Sequence, residues 1–356
     1  MVKVLTVVGA RPQFVKAAVV SREIKRRNNI KEIIVHTGQH FDDNMSEIFF
    51  DEMEIPKPDY NLNINGLSHG AMTGQMLEKI EEILLIEKPD WLLVYGDTNS
   101  TLAGALTAKK LHIKIAHIEA GLRSFNMNMP EEINRILTDR ISDILFCPTQ
   151  TAVNNLINEG YKNINTIIEN VGDVMKDAAY FYGTKSKKPE IDLPKNFVLC
   201  TVHRAENTDD EMKLKNIFEA LEDISKITPV VLPLHPRTRN LLLKIGYNFD
   251  SSMIRFIEPV GYLEMIYLLK NCELVMTDSG GLQKEAYFFK KPCLTLREET
   301  EWMELIEKGY NHICGSDYKH IVDSYERLTK KYINFEEEMY GNGKTGTKII
   351  DILTNY

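Results

Sequence analysis

Short runs of β-branched and other apolar residues alternate along this chain with longer segments whose apolar positions recur at helical spacing. That alternation is the pattern of βα units feeding a mostly parallel sheet. It predicts strands at Val4 to Val8, Glu32 to His36, Trp91 to Tyr95, Ile113 to His117 and Ile144 to Cys147, and helices at Gln13 to Arg27, Ser68 to Glu87, Ser100 to Leu111 and Glu131 to Ile141. A polar stretch, GTKSKKPEIDLPKN at 183–196, then interrupts the pattern, and its lysines, prolines and low apolar content mark a linker. Beyond it strands recur at Phe197 to Thr201, Val230 to Pro233, Met253 to Ile257, Leu274 to Thr277 and Cys293 to Leu296. Both halves open on an apolar strand that runs into an arginine-bearing loop, KVLTVVGARP and NFVLCTVHRAEN. The expectation is an α/β chain of two doubly wound, Rossmann-like domains, 1–182 and 197–340, joined at 183–196. A final segment, 341–356, has its amphipathic part at Lys344 to Leu353 and is expected to pack back on the first domain.

Length agrees with two domains, because single cores stop growing near roughly 250–300 residues and this chain has 356. A formal charge of −8 excludes a general nucleic-acid binder, which needs a basic face to neutralise phosphates. No stretch approaches the roughly 20 apolar residues of a membrane helix, and the chain begins directly with strand-like KVLTVV, so a cytoplasmic location without membrane contact is expected. Five widely spaced cysteines without a CxxC pair read as reduced core residues, and no metal site is expected.

Ligands of doubly wound sheets bind beyond the carboxyl ends of the strands, so the strand-end loops carry the candidate chemistry. After the first strand, GARPQFVK offers Arg11 and Lys16 at a helix start, where cations oppose the helix dipole unless an anion lies between them. GARP is not the GxGxxG of a dinucleotide site. VMTDSGGLQKEA is strand, turn and helix: Ser279, Gly280 and Gly281 after Asp278 leave backbone N–H groups open to an anion, and Glu285 one turn on is placed for a ribose diol. TVHRAEN brings His203 and Arg204, and LPLHPRT brings His235 and Arg237. In the first half Asp97 and Glu119 end strands, while Glu131 starts a helix four residues before Arg135. Asp97 reads either as a helix N-cap or, with Glu119, Glu131, Lys16 and Arg135, as part of a proton-transfer site.

Taken in order, VGARPQFVK, TGQH, GDTNST, HIEAGLRS, PEEINR, TVHRAEN, LHPRT and DSGGLQKEA resemble the non-hydrolysing UDP-N-acetylglucosamine 2-epimerases along nearly the whole chain. The resemblance implies the GT-B type of fold with a central cleft, a UDP-sugar substrate, no cofactor, a homodimer, and interconversion of UDP-N-acetylglucosamine and UDP-N-acetylmannosamine. It implies elimination, because the C2 proton has no adjacent carbonyl to acidify it. A base removes H2 as UDP leaves C1, and re-addition to the resulting 2-acetamidoglucal delivers a proton to the other face. On the matching positions Asp97 would be the base, Glu119 and Glu131 its partners, and Lys16 and Arg135 the holders of carboxylates and sugar. Arg11, His203, Ser279, Gly280 and Gly281 would hold the diphosphate, with His203 also placed to protonate or shield departing UDP. His235 would contact substrate and Glu285 the ribose.

Two departures bear on specificity. For the second, activating sugar site of bacterial members the chain keeps Gln39, Glu132 and Arg204, but Asp42 replaces a glutamine and His69 an arginine. In REETEWMEL, Trp302 stands where many members carry arginine, a variant also found in relatives that act on diacetamido or otherwise modified UDP sugars. A 2-epimerase of a UDP-2,3-diacetamido sugar, a GT-B glycosyltransferase and a nucleotide-sugar sensor are the alternatives to the first reading.

Overall fold

The computed structural model describes residues 1–39 and 54–356, which form two compact units, Met1–Tyr180 with Glu338–Tyr356, and Phe181–Glu337. Asp42 lies outside the described residues. Among those described, the first unit has a parallel sheet of β1 (Val2–Val8), β2 (Ile30–His36), β3 (Tyr60–Asn61), β4 (Trp91–Tyr95), β5 (Lys114–Ile118), β6 (Ile144–Cys147) and β7 (Ile167–Asn170). Their order across it is β3-β2-β1-β4-β5-β6-β7. Its helices are α1 (Arg11–Lys25), α2 (His69–Glu87), α3 (Asn99–Lys110), α4 (Pro130–Ile141), α5 (Gln150–Asn158) and α6 (Val174–Gly183), whose end crosses into the second unit.

The second sheet is parallel too, with β8 (Val198–Thr201), β9 (Val230–Pro233), β10 (Arg255–Ile257), β11 (Leu274–Thr277), β12 (Cys293–Thr295) and β13 (Asn311–Ile313) in the order β10-β9-β8-β11-β12-β13. Its connecting segments include α7 (Ala205–Thr208), α8 (Glu211–Ser225), α9 (Pro236–Lys244), α10 (Tyr262–Asn271), α11 (Gly280–Phe288), α12 (Met303–Glu307) and α13 (Tyr318–Thr329). The last helix, α14 (Thr345–Asn355), belongs to the first unit. It lies on α1 closely enough that a side chain at Gly346 would meet Val19, and Arg27 pairs with Asp351 at 2.7 Å. Residues 183–196 fall inside the second unit, where Ile191 and Leu193 pack against its core, in place of the linker expected from their polarity.

Central strands such as β4, β6, β8 and β11 are buried at every residue, as parallel strands covered on both faces must be. The winding direction reverses between β1 and β4 in the first sheet and between β8 and β11 in the second. These are the topological switch points at which open α/β sheets bind ligands. The four strands end in GARPQ, GDT, VHRAEN and DSGG, so the topology selects the loops with the candidate chemistry. All five cysteines are buried free thiols. Among the described residues no helix is long and apolar enough to cross a membrane.

Candidate active site

At the first switch point the loops after β1 and β4 are bound together by Gln13. Its Oε1 accepts from the N–H of Gly9 at 2.8 Å and of Ala10 at 3.1 Å, and its Nε2 donates to the Tyr95 carbonyl at 2.7 Å. A buried amide needs partners at both ends, so Gln13 fixes one loop against the other. Gly9 permits the approach: a Cβ there would lie 2.1 Å from Ser100 Oγ.

Thr98 caps α3, accepting from Thr101 N–H, which leaves the carboxylate of Asp97 free of the capping role. Asp97 pairs instead with Arg135, whose other partner is Glu132. Lys16 pairs with Glu119. The two pairs lie side by side, for a Cβ on Gly96 would stand 3.3 Å from Glu119 Oε2 and 3.4 Å from Lys16 Nζ. Glu119 itself has φ +72°, a left-handed backbone that costs a non-glycine residue about 1–3 kcal/mol and is retained where position matters.

Burial raises the Asp97 carboxyl above its ordinary value; Arg135 and Lys16 pull it down and Glu119 pushes it up. The result moves aspartate towards the range in which a base can both exist ionised and hold a proton. Burial also works against ionised Glu132. There the N–H groups of Ser124 and Phe125, together with Arg135, outweigh it and bring the carboxyl below its ordinary value. Two carboxylates on one guanidinium are thus driven in opposite directions.

In the second unit Asp278 is fully buried at the end of β11 and serves β8's loop. It accepts from the N–H of His203 and of Arg204, each at 2.9 Å, and from Asn207 Nδ2 at 3.2 Å. His203 Nδ1 lies 3.2 Å from Asp278 Oδ1 with the ring 44% exposed. Withdrawal from water lowers the His203 value, Asp278 opposes that, and Arg204 and His235 add to the lowering. Beside it α11 starts with Ser279 as N-cap and no side-chain cap bond, so the cap hydroxyl does not close the helix end. A Cβ on Gly281 would meet nothing within 4 Å. Glu285 is buried and accepts from Tyr262 Oη at 2.8 Å.

Several expectations change on these positions. Glu131 is exposed, and it is Glu132, one residue on, that turns inward to Arg135. Glu132, expected at a second sugar site, is therefore committed to the Asp97 network. The glycine at 280 is accounted for by Glu301: a Cβ there would lie 2.2 Å from Glu301 Oε1, so the missing side chain makes room for a carboxylate of the protein itself. His235 caps α9, its Nδ1 accepting from Arg237 N–H at 3.2 Å. Gln39 Oε1 accepts from Ser100 N–H and Oγ at 2.9 and 2.7 Å, and His69 Nδ1 lies 3.2 Å from Asn99 Nδ2. Arg204 is the N-cap residue of α7, and Arg11 opens α1, half-buried. The structure brings Lys16, Asp97, Glu119 and Arg135 together in one unit and His203, Ser279 and Gly281 at one switch point in the other. Among the described residues no group of histidines, cysteines and carboxylates is arranged to hold a metal.

The chain matches, over residues 22–354, the family model described as UDP-N-acetylglucosamine 2-epimerase. It is 56% identical over 353 residues to the UDP-2,3-diacetamido-2,3-dideoxy-D-glucuronate 2-epimerase of Pseudomonas aeruginosa, with 99% of each chain covered. To the UDP-N-acetylglucosamine 2-epimerase of Methanocaldococcus jannaschii it is 44% identical over 364 residues, again with 99% of each covered. A crystal structure of the M. jannaschii UDP-GlcNAc 2-epimerase in complex with UDP-GlcNAc and UDP matches with a TM-score of 0.88 at 44% identity, over 99% of this chain and 100% of that one. The fold class is accordingly α/β of the GT-B type, each unit Rossmann-like.

Proposed function

The chain belongs to the UDP-N-acetylglucosamine 2-epimerase family and is an isomerase, and on that premise we propose that it inverts C2 of a UDP-linked 2-acetamido sugar by eliminating and re-adding UDP. The observation that carries this reading is the Asp97 carboxylate at a switch point, raised by burial and flanked by Arg135, Lys16 and Glu119. Asp97 takes the C2 proton; the C–H electron pair becomes the C1–C2 double bond, and the C1–O pair leaves on the diphosphate. Addition reverses these steps with the proton delivered to the other face of C2, for which Glu119, paired with Lys16, and Glu131, exposed at the start of α4, are the partner carboxylates. In the second unit His203, Ser279 and Gly281 hold the diphosphate, and Glu285 the ribose. The enzyme needs no cofactor, works in the cytoplasm and acts as a homodimer.

The preferred substrate in this reading is UDP-2,3-diacetamido-2,3-dideoxy-D-glucuronate, ahead of the UDP-N-acetylglucosamine to which the motifs pointed first. Identity of 56% to an enzyme named for the former, against 53% to one named a UDP-N-acetylglucosamine 2-epimerase homolog and 44% to one named UDP-N-acetylglucosamine 2-epimerase, supports it. Trp302, the position at which the chain resembles relatives acting on diacetamido sugars, is built into the DSGG turn: its Nε1 donates to the Gly280 carbonyl at 2.9 Å and Lys284 Nζ lies 4.0 Å from its ring centroid. NMR assay of both sugars is expected to give a kcat/KM at least about tenfold higher for the diacetamido glucuronate, a difference of about 1.4 kcal/mol at the transition state. Equal or faster turnover of UDP-N-acetylglucosamine overturns the substrate assignment and leaves the C2 chemistry standing.

A further inference from the structure

The turn that presents Asp97 is held from α4, and one of its ties uses a histidine that no step of the proposed chemistry employs. His117, on β5, is fully buried, as is Asp139 on α4. Its Nδ1 lies 2.7 Å from Asp139 Oδ1 and its Nε2 2.7 Å from the carbonyl of Gly96, the residue before Asp97. Both atoms it faces can only accept. A ring in this position satisfies both by donating from both nitrogens, because a single ring proton would leave one nitrogen lone pair against an oxygen.

The rest of the constellation is built to hold that carboxylate. Asp139 Oδ2 accepts from Arg123 Nη1 at 2.7 Å and Gly121 N–H at 3.1 Å, and Arg123 is in turn gripped by Glu159 at 2.7 and 2.8 Å. Burial would raise the Asp139 carboxyl, but His117 and Arg123 outweigh it and bring it below its ordinary value. Asp139, Arg123 and Glu159 thus alternate in charge along a chain that runs from the buried His117 out to the surface.

Gly96 has φ +62°, open to glycine at no steric cost, and its N–H donates to the Ile118 carbonyl at 3.0 Å. On the other side the Asp97 carbonyl accepts from Asn134 Nδ2 at 2.9 Å. Both peptide units flanking the Asp97 Cα are therefore pinned, one by His117 and one by Asn134, while Arg135 holds the carboxylate. We infer that His117 is a positioning residue, which ties the Gly96–Asp97 turn to α4 by donating to Gly96 and to Asp139 and so fixes where the Asp97 carboxylate points. This rests on the reading of Asp97 as the C2 base.

The test is His117→Phe, which keeps a ring and removes both donors. Turnover is expected to fall about 10²-fold, the scale set by misplacing a reacting group by about 1 Å, while KM and the Kd for UDP stay within about threefold. Turnover within about threefold of the parent, or UDP affinity lost in step with turnover, overturns the proposal. Nitrogen-15 NMR of the histidine-labelled parent, without sugar, is the second reading, with the signal assigned by its loss in His117→Phe or, should that variant not fold, in His117→Gln. It is expected to show a proton on the His117 ring nitrogen that faces the Gly96 carbonyl, and a bare nitrogen there overturns the tie. Because that spectrum needs no turnover, failure of the tie is separable from failure of the Asp97 assignment, which would appear as a parent enzyme that never exchanges H2.

Discussion

Asp97→Asn lowers turnover by about 10²–10⁴-fold, the usual contribution of a positioned acid or base, and leaves the Kd for UDP near its parent value. Asparagine keeps the size of the side chain and its place beside Arg135, so what is lost is the capacity to take a proton. The candidate UDP-holding residues His203, Ser279 and Gly281 sit in the second unit and are untouched. The pH dependence carries the same claim with a definite sign. Burial raises the Asp97 carboxyl above the ordinary 3.8, so as pH falls the parent loses its base through a value higher than that, and the residual activity of the variant lacks this limb. Steady-state kinetics over pH together with calorimetric UDP titration check both statements. Turnover in Asp97→Asn within about threefold of the parent would remove Asp97 from the mechanism.

Arg135→Met costs stability as well as rate. Arg135 is 7% exposed and Glu132 1%, and truncating the cation leaves Glu132 buried with only the Ser124 and Phe125 donors. Breaking a buried pair from one side costs about 3–5 kcal/mol, and for a unit of this size that is a fall in Tm of about 10 °C. Asp97 loses the largest of the charges that lower its carboxyl, so the acid limb of the rate profile moves further up in pH. Turnover is expected to drop about 10²-fold. Arg135→Lys recovers little, because one ammonium cannot span the two carboxylates as the planar fork does. Differential scanning calorimetry and the same kinetic assay decide it. A variant with parental Tm would show that the Arg135–Glu132 pair is not holding α4.

Much of the fold was legible because parallel strands buried on both faces leave continuous apolar runs, as at Trp91–Tyr95 and Leu274–Thr277. Glycine, arginine and histidine at the ends of those runs marked the strand-end loops, and the switch points are where they fall. What remained hidden depends on neighbours far away in the chain. Asp278, followed by Ser279 and two glycines, reads as part of an anion cradle. Its work as anchor of the His203 loop follows from β8 lying beside β11, pairing residues about 75 apart. Gln13 looks like one polar residue on an apolar helix face until Tyr95, 82 positions on, supplies its partner. His117 and Asp139 are 22 apart and belong to different elements. Arg135 shows the limit of helical spacing: residues three and four before it both lie on its face, so Glu132 and Glu131 compete, and burial of the inner one decides. Gly280 is the reverse case, a glycine read as open to phosphate whose space Glu301, brought back by the loop after β12, already occupies.

The account stands on the transfer of the C2 proton to a group that exchanges with water. Incubating the enzyme in deuterated water with UDP-2,3-diacetamido-2,3-dideoxy-D-glucuronate, and separately with UDP-N-acetylglucosamine, and following H2 by proton NMR measures that transfer. The predicted result is deuterium at C2 of the epimeric product, and none in an Asp97→Asn control over the same time. An epimer that forms with protium retained at C2, or a parent enzyme that forms no epimer from either sugar, would contradict it.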